Sequence, residues 1–478
     1  MSYTKENIPS FLRSAGADLV DTEQRIDTDI LEPVIFTDTF LRFELQRKGL
    51  LNPKSRITFS LNAPSAEAFF PLGVGVGSLI QRATLRIGGK TICEVDDWSH
   101  YHAYKSMFVD QETNKQREQY NSARCMSNSV QYEDNTNTST AIGMDLGREY
   151  TYNATASDTR MDLQPFQLLD NEPVFSITLD DLLPCLRGVQ LPLFLFQEEI
   201  QVELTLAPLV GKRACFSDSG SGTKGASMTL DQNEVRMIAD YTFLDGDAMD
   251  AYASANRDYE YTFLEPRLTR TTLATASDWT DQVRNVGGAG RRVPKMFVML
   301  TSDKMGFVEN GSGDLVNTAG NNQLTLLNDY RAICMSSSAS GLTPADGVYG
   351  KLTANIKKND TFIYPIDRSN SALHYHGVQQ TEGAIPHITR TEYARQGNAM
   401  IDKEFMSRTL ASEDEVAGQF FVQAYRFPDG ERVDSRGLEM HMKYSGFDSA
   451  TLPLVQRTYI MIEKRFVVRD GIADSLFE

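Results

Sequence analysis

Two histidine pairs and two pairs of adjacent acids have the residue types and spacing in this sequence that come nearest to chemistry. The histidines are His100-x-His102 and His374-x-His376. Residues two apart point to different sides of a helix, so His100 and His102 share no ion if 97–108 is helical. His374 and His376 would share a face only on a strand, and no third ligand stands near them in the sequence. Asp96 with Asp97 and Asp180 with Asp181 have the form of paired catalytic carboxylates. Both pairs fall where helices are expected to start, and there a carboxylate accepts backbone N–H groups and complements the helix dipole. Capping is therefore the expected role. Trp98, Tyr101 and Tyr104 suggest a base-stacking platform, but Lys105 is the only cation among them, so they read as core or as a contact between copies. The sequence contains no G-x-S-x-G elbow, phosphate-binding loop or H-E-x-x-H. No catalytic, cofactor-binding or metal residue is assigned, and a non-enzymatic chain is expected.

The elements that position these residues belong to a long chain. Its 478 residues exceed the roughly 250–300 that one hydrophobic core supports, so two sizeable domains are expected. A hydrophobic share of 41% supplies enough apolar material to pack both. The formal charge of −17 would repel a phosphate backbone, which argues against direct nucleic-acid binding; Arg291-Arg292 reads as a solvated loop. Cys93, Cys125, Cys185, Cys215 and Cys334 are scattered, odd in number and without C-x-x-C spacing, and are expected to be reduced thiols. Met1 to Arg25 lacks the uninterrupted apolar region of a secretory signal, and no stretch reaches membrane-spanning length. Synthesis in a reducing cytosol is the expectation, with the sequon Asn153-Ala154-Thr155 unused.

Alternation with period two dominates. Leu41, Phe43 and Leu45, then Ile57, Phe59 and Leu61, then Ile200, Val202, Leu204 and Leu206 alternate with polar residues, each predicting a strand with one buried face. Gly88-Gly89 supplies the positive φ angles of a two-residue hairpin turn. Further strands are predicted at 174–179, 235–244, 296–300, 420–427, 440–444 and 459–468. Helices are few: one starting at Asp96 or Asp97 with Trp98, Tyr101, Lys105 and Phe108 on one face, one capped by Asp180 and ending at Gly188, and one from Asp245 carrying Met249 and Tyr252. The stretches 110–159, 302–322 and 369–398 read as long polar loops, and the Gly/Ser run 217–227 as a flexible one. Leu191-Pro192-Leu193 before Ile200 is echoed by Leu452-Pro453-Leu454 before Tyr459, and Thr84-Leu85-Arg86-Ile87 by Thr325-Leu326-Leu327 before Asn328-Asp329, which places a duplication boundary near Asp245.

From Glu234 to Arg267 the chain resembles the passage joining the two sandwiches of double jelly-roll major capsid proteins of the adenovirus and large-DNA-virus lineage. The matching residues are Ala239, Asp240, Tyr241, Phe243, Leu244 and Asp245, then Tyr259, Tyr261, Leu264 and Glu265. Val293-Pro294-Lys295 with Met296 to Leu300 is similar to the family's opening strands of the second sandwich, and Leu182-Leu183 through Leu206 to the last third of the first. Tyr459 to Phe477, with Arg469-Asp470-Gly471-Ile472, resembles its last strand and terminal glycine turn. The likeness is greatest to capsid proteins of polinton-like viruses and virophages. Gly246-Asp247-Ala248-Met249 departs from algal giant-virus relatives, whose linker carries acidic and basic residues after the Leu-Asp pair.

The resemblance implies an all-β chain of two tandem eight-stranded antiparallel jelly-roll β-sandwiches with a few short helices and long polar loops. Its expected divisions are an amino-terminal arm at 1–27, a first jelly roll at 28–247 and a second at 248–478, with a linker helix near 246–256. It further implies a homotrimeric, pseudo-hexameric capsomer tiling an icosahedral shell around double-stranded DNA. The expected partners are neighbouring capsomers and minor capsid and penton proteins, and the location is the virion, assembled inside the host cell. The segment Ile8 to Leu19 would lie beneath the brick and tie it to neighbours. Two other readings compete: a carbohydrate-binding or carbohydrate-cleaving jelly roll, and a minor capsid or vertex protein with one sandwich.

Overall fold

A computed structural model describes residues 24–62, 67–71, 79–107, 174–207, 232–256, 258–272, 279–284, 291–302, 351–358, 371–382, 422–427, 438–445 and 454–477, together with short pieces between them. The main strands of the first half are β1 (Arg25–Leu31), β2 (Phe40–Leu45), β3 (Arg56–Asn62), β4 (Ile80–Ile87), β5 (Lys90–Asp96), β6 (Val174–Thr178), β7 (Ile200–Leu206) and β8 (Arg236–Phe243). Those of the second are β9 (Asp258–Thr272), β10 (Trp279–Arg284), β11 (Lys295–Ser302), β12 (Lys351–Lys358), β13 (Val422–Arg426), β14 (Leu438–Ser445), β15 (Leu454–Arg469) and β16 (Ile472–Phe477). Helices are α1 (Trp98–Met107), α2 (Leu179–Leu182), α3 (Gly246–Ala255) and α4 (Ser371–Glu382). The chain is all-β, as expected, and every strand pairing among the described residues is antiparallel.

Each half is built on two sheets. In the first, β6-β3-β8 continues into Leu50–Leu51 and Leu191–Pro192 with β1 added along β8, and a second sheet runs Ile35–Thr37, β2, β7, β4, β5. In the second half, β9-β15-β11-β13 carries β16 beside β15, and β10-β14-β12 ends in Thr361–Phe362. Alternation explains the first half directly. Leu41, Phe43, Ile200, Val202 and Leu204 are fully buried, while Arg42 and Glu44 are not. Ile57, Phe59, Met237 and Tyr241 form the matching buried face of the other sheet, and one contiguous apolar cluster extends from these residues to Phe297, Tyr459 and Phe466 of the second half.

The turns follow the glycines. Gly88 and Gly89 have φ of +56° and +79° and join β4 to β5, with Ile87 opposite Lys90. Asp470 and Gly471, at +48° and +80°, join β15 to β16, the terminal glycine turn that the sequence suggested. The Asp245 carboxylate accepts from the Gly246 N–H at 2.8 Å and caps α3, and Tyr252 is buried, as expected.

Several expectations need correction. The 15-residue β9 was not among the expected strands because Pro266 interrupts it; among the described residues β9 is an edge strand paired only with β15, where a missing N–H breaks no ladder. β15 begins at Leu454, five residues before Tyr459. The stretches read as loops contain structure. Glu149–Asn153, Phe216–Asp218, Thr223–Ala226, Phe307–Glu309 and Leu315–Asn317 join Glu67–Pro71 in a six-stranded sheet, and Thr223 pairs with Val316 across the two halves. Strands of three to five residues are too short for their alternation to stand out against polar neighbours. The stretch 369–398 contains α4, whose buried Gly377, Val378 and Thr381 do not make the long apolar stripe by which a helix is read. Segment 8–19, Phe108, Thr325–Asp329 and Leu452–Pro453 lie outside the described residues.

A Cβ on Gly88 would collide with the Glu198 carboxylate, which itself accepts from the Ala473 N–H at 3.1 Å, whereas a Cβ on Gly89 meets nothing within 4 Å. Gly89→Ala is expected to cost about 1 kcal/mol from backbone strain alone and Gly88→Ala about twice that. Urea denaturation midpoints of the two variants test the order, and equal losses would refute it.

Candidate functional site

Of the polar residues singled out by sequence, Asp97 and His100 lie where the two halves meet, held by contacts with each other and with β15. Asp97 lies between β5 and α1 with a left-handed φ of +50°. Its side chain does not cap α1: Oδ1 lies 2.7 Å from His100 Nδ1, and Oδ2 accepts from Arg457 Nε at 2.7 Å. The Asp97 carbonyl accepts from the Tyr459 hydroxyl at 3.0 Å, so one residue holds β15 through both side chain and main chain. Burial alone would raise the Asp97 pKa, but His100 and Arg457 outweigh it and hold the carboxyl well below the usual range. Asp96 turns away to pair with Arg82. The expectation of capping fails for Asp180 also: it sits inside the first turn of α2, accepting from Thr178 Oγ1 at 2.6 Å and pairing with Lys54 at 2.7 Å. In both cases a cation or hydroxyl within reach competes better for the carboxylate than the helix N–H groups do.

The histidine pairs are divided among separate contacts. His102 stacks on Trp98 with ring centroids 4.5 Å apart, away from the Asp97 contact of His100, and His374 and His376 lie on α4 and not on a strand. Among the described residues no group of three His, Cys, Asp or Glu is placed to hold an ion. Trp98, Tyr101 and Tyr104 are buried, and the Trp98 indole donates to the Leu182 carbonyl at 3.1 Å. Tyr104 stacks on Phe297 at 3.6 Å and 4°, and Phe297 on Tyr459 at 4.9 Å. The expected aromatic contact is thus made within one chain, between α1 of the first half and β11 and β15 of the second.

Beside this stack, Glu382 at the end of α4 accepts from the Tyr104 hydroxyl at 2.8 Å, Lys105 at 3.0 Å and Lys295 at 3.1 Å. Burial would raise the Glu382 pKa, but Lys105 and Lys295 outweigh it and hold it at about 2. Lys295 is lowered by burial and by Lys105, against the pull of Glu382.

Glu265 on β9 and Lys464 on β15 are buried charges as well, with side chains 0% and 2% exposed. Glu265 Oε1 accepts from the Glu94 N–H at 2.8 Å and from Lys464 at 3.2 Å, while Oε2 lies 3.0 Å from Arg267. Lys464 also donates to the Ile92 carbonyl at 2.9 Å. Ile92 is the extra residue of a β-bulge in β5, between Thr91 opposite Arg86 and Cys93 opposite Leu85. Cys93 and Cys185 are free buried thiols in contact, and burial followed by the Cys93 contact pushes the Cys185 thiol well up. Nearby, Gln197 N–H donates to the Gly471 carbonyl at 2.9 Å and Lys90 to the Ala473 carbonyl at 3.3 Å, tying the β15–β16 turn to the first half. An open cleft of about 450 Å³ lined by Gln81, Arg82, Asp96, Asp97, Thr205, Leu268 and Arg270 borders the junction.

The fold, an all-β chain with a buried polar seam between two sheet pairs, is similar to that of solved viral capsid proteins. PBCV-1 VP54, as fitted into a reconstruction of the virophage Sputnik, aligns over 96% of this chain and 97% of its own, with a TM-score of 0.54 and 12% identity. A chain of the PBCV-1 virus capsid aligns over the same shares with a TM-score of 0.51 and 12% identity. The mavirus major capsid protein covers 99% of this chain and 93% of its own at a TM-score of 0.43 and 9% identity. No protein-family model matches the sequence, and no curated protein sequence does. The chain therefore has the jelly-roll fold of viral capsid proteins, the fold that the resemblance at 234–267 and 459–477 implied.

Two outcomes follow. Lys464→Met leaves the Glu265 carboxylate buried with Arg267 as its remaining cation and is expected to cost about 3–5 kcal/mol, whereas Glu265→Leu with Lys464→Met recovers a good part of that loss. A double-mutant cycle by denaturation checks it; a near-neutral single variant would show the pair to be dispensable. Because the Glu382 pKa is depressed in the fold, its contribution is complete above about pH 4.5 and is lost as pH falls toward 2. Glu382→Gln should remove about 3 kcal/mol at neutral pH and flatten the acid limb of stability over that window, as read from unfolding at stepped pH.

Proposed function

We propose that this chain is a structural protein and not an enzyme: the major capsid protein of a double-stranded DNA virus, assembling as homotrimeric, pseudo-hexameric capsomers that tile an icosahedral shell. The observation that carries this is the end-to-end likeness to capsid chains, 96% of this chain against 97% of the other, which leaves no large segment over for a separate activity. Two tandem jelly rolls, 28–247 and 248–478 with an arm at 1–27, would supply two upright sandwiches per chain. A cyclic trimer then has six corners and leaves its outer edges free for neighbouring capsomers and for minor capsid and penton proteins. The charge of −17 suits a shell wall that encloses a genome without gripping it. The workplace is the virion, with assembly inside the host cell.

Light scattering on purified protein should give about three times the 53.5 kDa chain mass, and negative-stain images should show bricks with a threefold axis. A stable monomer that binds glycans would overturn this reading in favour of a carbohydrate-binding jelly roll, and a pentamer would favour a vertex protein.

A further inference from the structure

Strand β1 lies in its sheet with its apolar side outward. Asp27 and Asp29 point inward at the sheet edge, where Lys48 pairs with Asp29 at 2.7 Å and Asp27 at 3.6 Å while lying 4.9 Å over the Tyr241 ring. Side chains alternate, so Ile26 and Ile30 must face the other way, and they are 51% and 69% exposed. Val34, just beyond the strand, is 58% exposed, and Ile238 of β8 stands directly opposite Ile30 on the same face. Single exposed aliphatics are ordinary; an aligned strip of this kind calls for a cover.

The chain itself supplies a candidate of matching length and pattern. Residues 1–23 precede the strip immediately, and in them Ile8, Phe11, Leu12, Ala15 and Leu19 recur at helical spacing. From Leu19 to Ile26 the chain can span at most about 23 Å, and Ile26 to Ile30 takes only about 13 Å, so the segment can turn back over the whole strip. Arg56, opposite Ile238 on this face, provides a partner for Asp18 or Asp21.

We propose that the apolar side of residues 8–19 covers the Ile26, Ile30 and Val34 strip of its own chain. The inference stands apart from the capsid reading, since it rests on the exposed face of β1 alone. The test places p-benzoylphenylalanine at position 30 of the full-length chain, irradiates an equal mixture of isotopically heavy and light protein, and maps the crosslinks by mass spectrometry. Links from position 30 to residues 8–19 within one isotopic chain are expected, and Phe11→Asp should lower their yield about tenfold without changing the mass of the assembly. Heavy–light links would show that a second copy covers the strip, and links elsewhere, or none, would leave residues 8–19 without this role; each outcome overturns the proposal.

Discussion

A carboxylate removed from water must find a positive or N–H partner for each oxygen, and Glu265 meets that demand only because two sheet edges come together around it. β5 ends one sheet and β9 ends another, and each presents backbone groups that no neighbouring strand satisfies. The Glu265 carboxylate accepts the Glu94 N–H, and the Lys464 ammonium donates to the carbonyl that the bulge at Ile92 sets free. Two side chains thereby complete what a ladder would otherwise supply. Because the charges neutralise each other at 3.1 Å, the seam closes without leaving either one stranded.

The rest of the junction is arranged around that closure. Asp97 adopts a left-handed backbone, a conformation that Asp tolerates better than most residues, and so directs its carboxylate at Arg457 while its carbonyl meets Tyr459. The stack of Tyr104, Phe297 and Tyr459 fills the space alongside, and the Glu382 cluster shuts its far side. The Tyr459 hydroxyl stays protonated there: burial, and then the Asp97 charge, raise its pKa well above the ordinary value. The result is a polar network in which every charge named has a partner of opposite sign, a condition under which such networks fix one geometry.

The strands of the first half were legible because each has one wet face, so Leu41, Phe43, Ile200 and Val202 announce themselves by alternation. The junction was less so. Its aromatic members Trp98, Tyr101 and Tyr104 were visible as a cluster, but their partners Phe297 and Tyr459 lie some two hundred residues or more away, and pattern within a window cannot pair them. Glu265 and Lys464 did leave a trace: each is a charge on the apolar side of its strand, level with Phe263 and Phe466, where period two asks for a hydrophobic residue. Asp96-Asp97 and Asp180-Asp181 misled for the opposite reason, because a helix start is a good local account of an acid until a distant arginine or a nearby lysine outbids it.

The pairing of Thr223 with Val316 carries a consequence for how the chain is made. Residues 223–226 leave the ribosome well before 315–317, and at roughly 5–20 residues per second the earlier strand waits several seconds for its neighbour. During that interval its outer edge is open to any other nascent chain, including those on the same polysome. The strands here are only three and four residues long, which keeps that exposed template brief in reach and weak in grip.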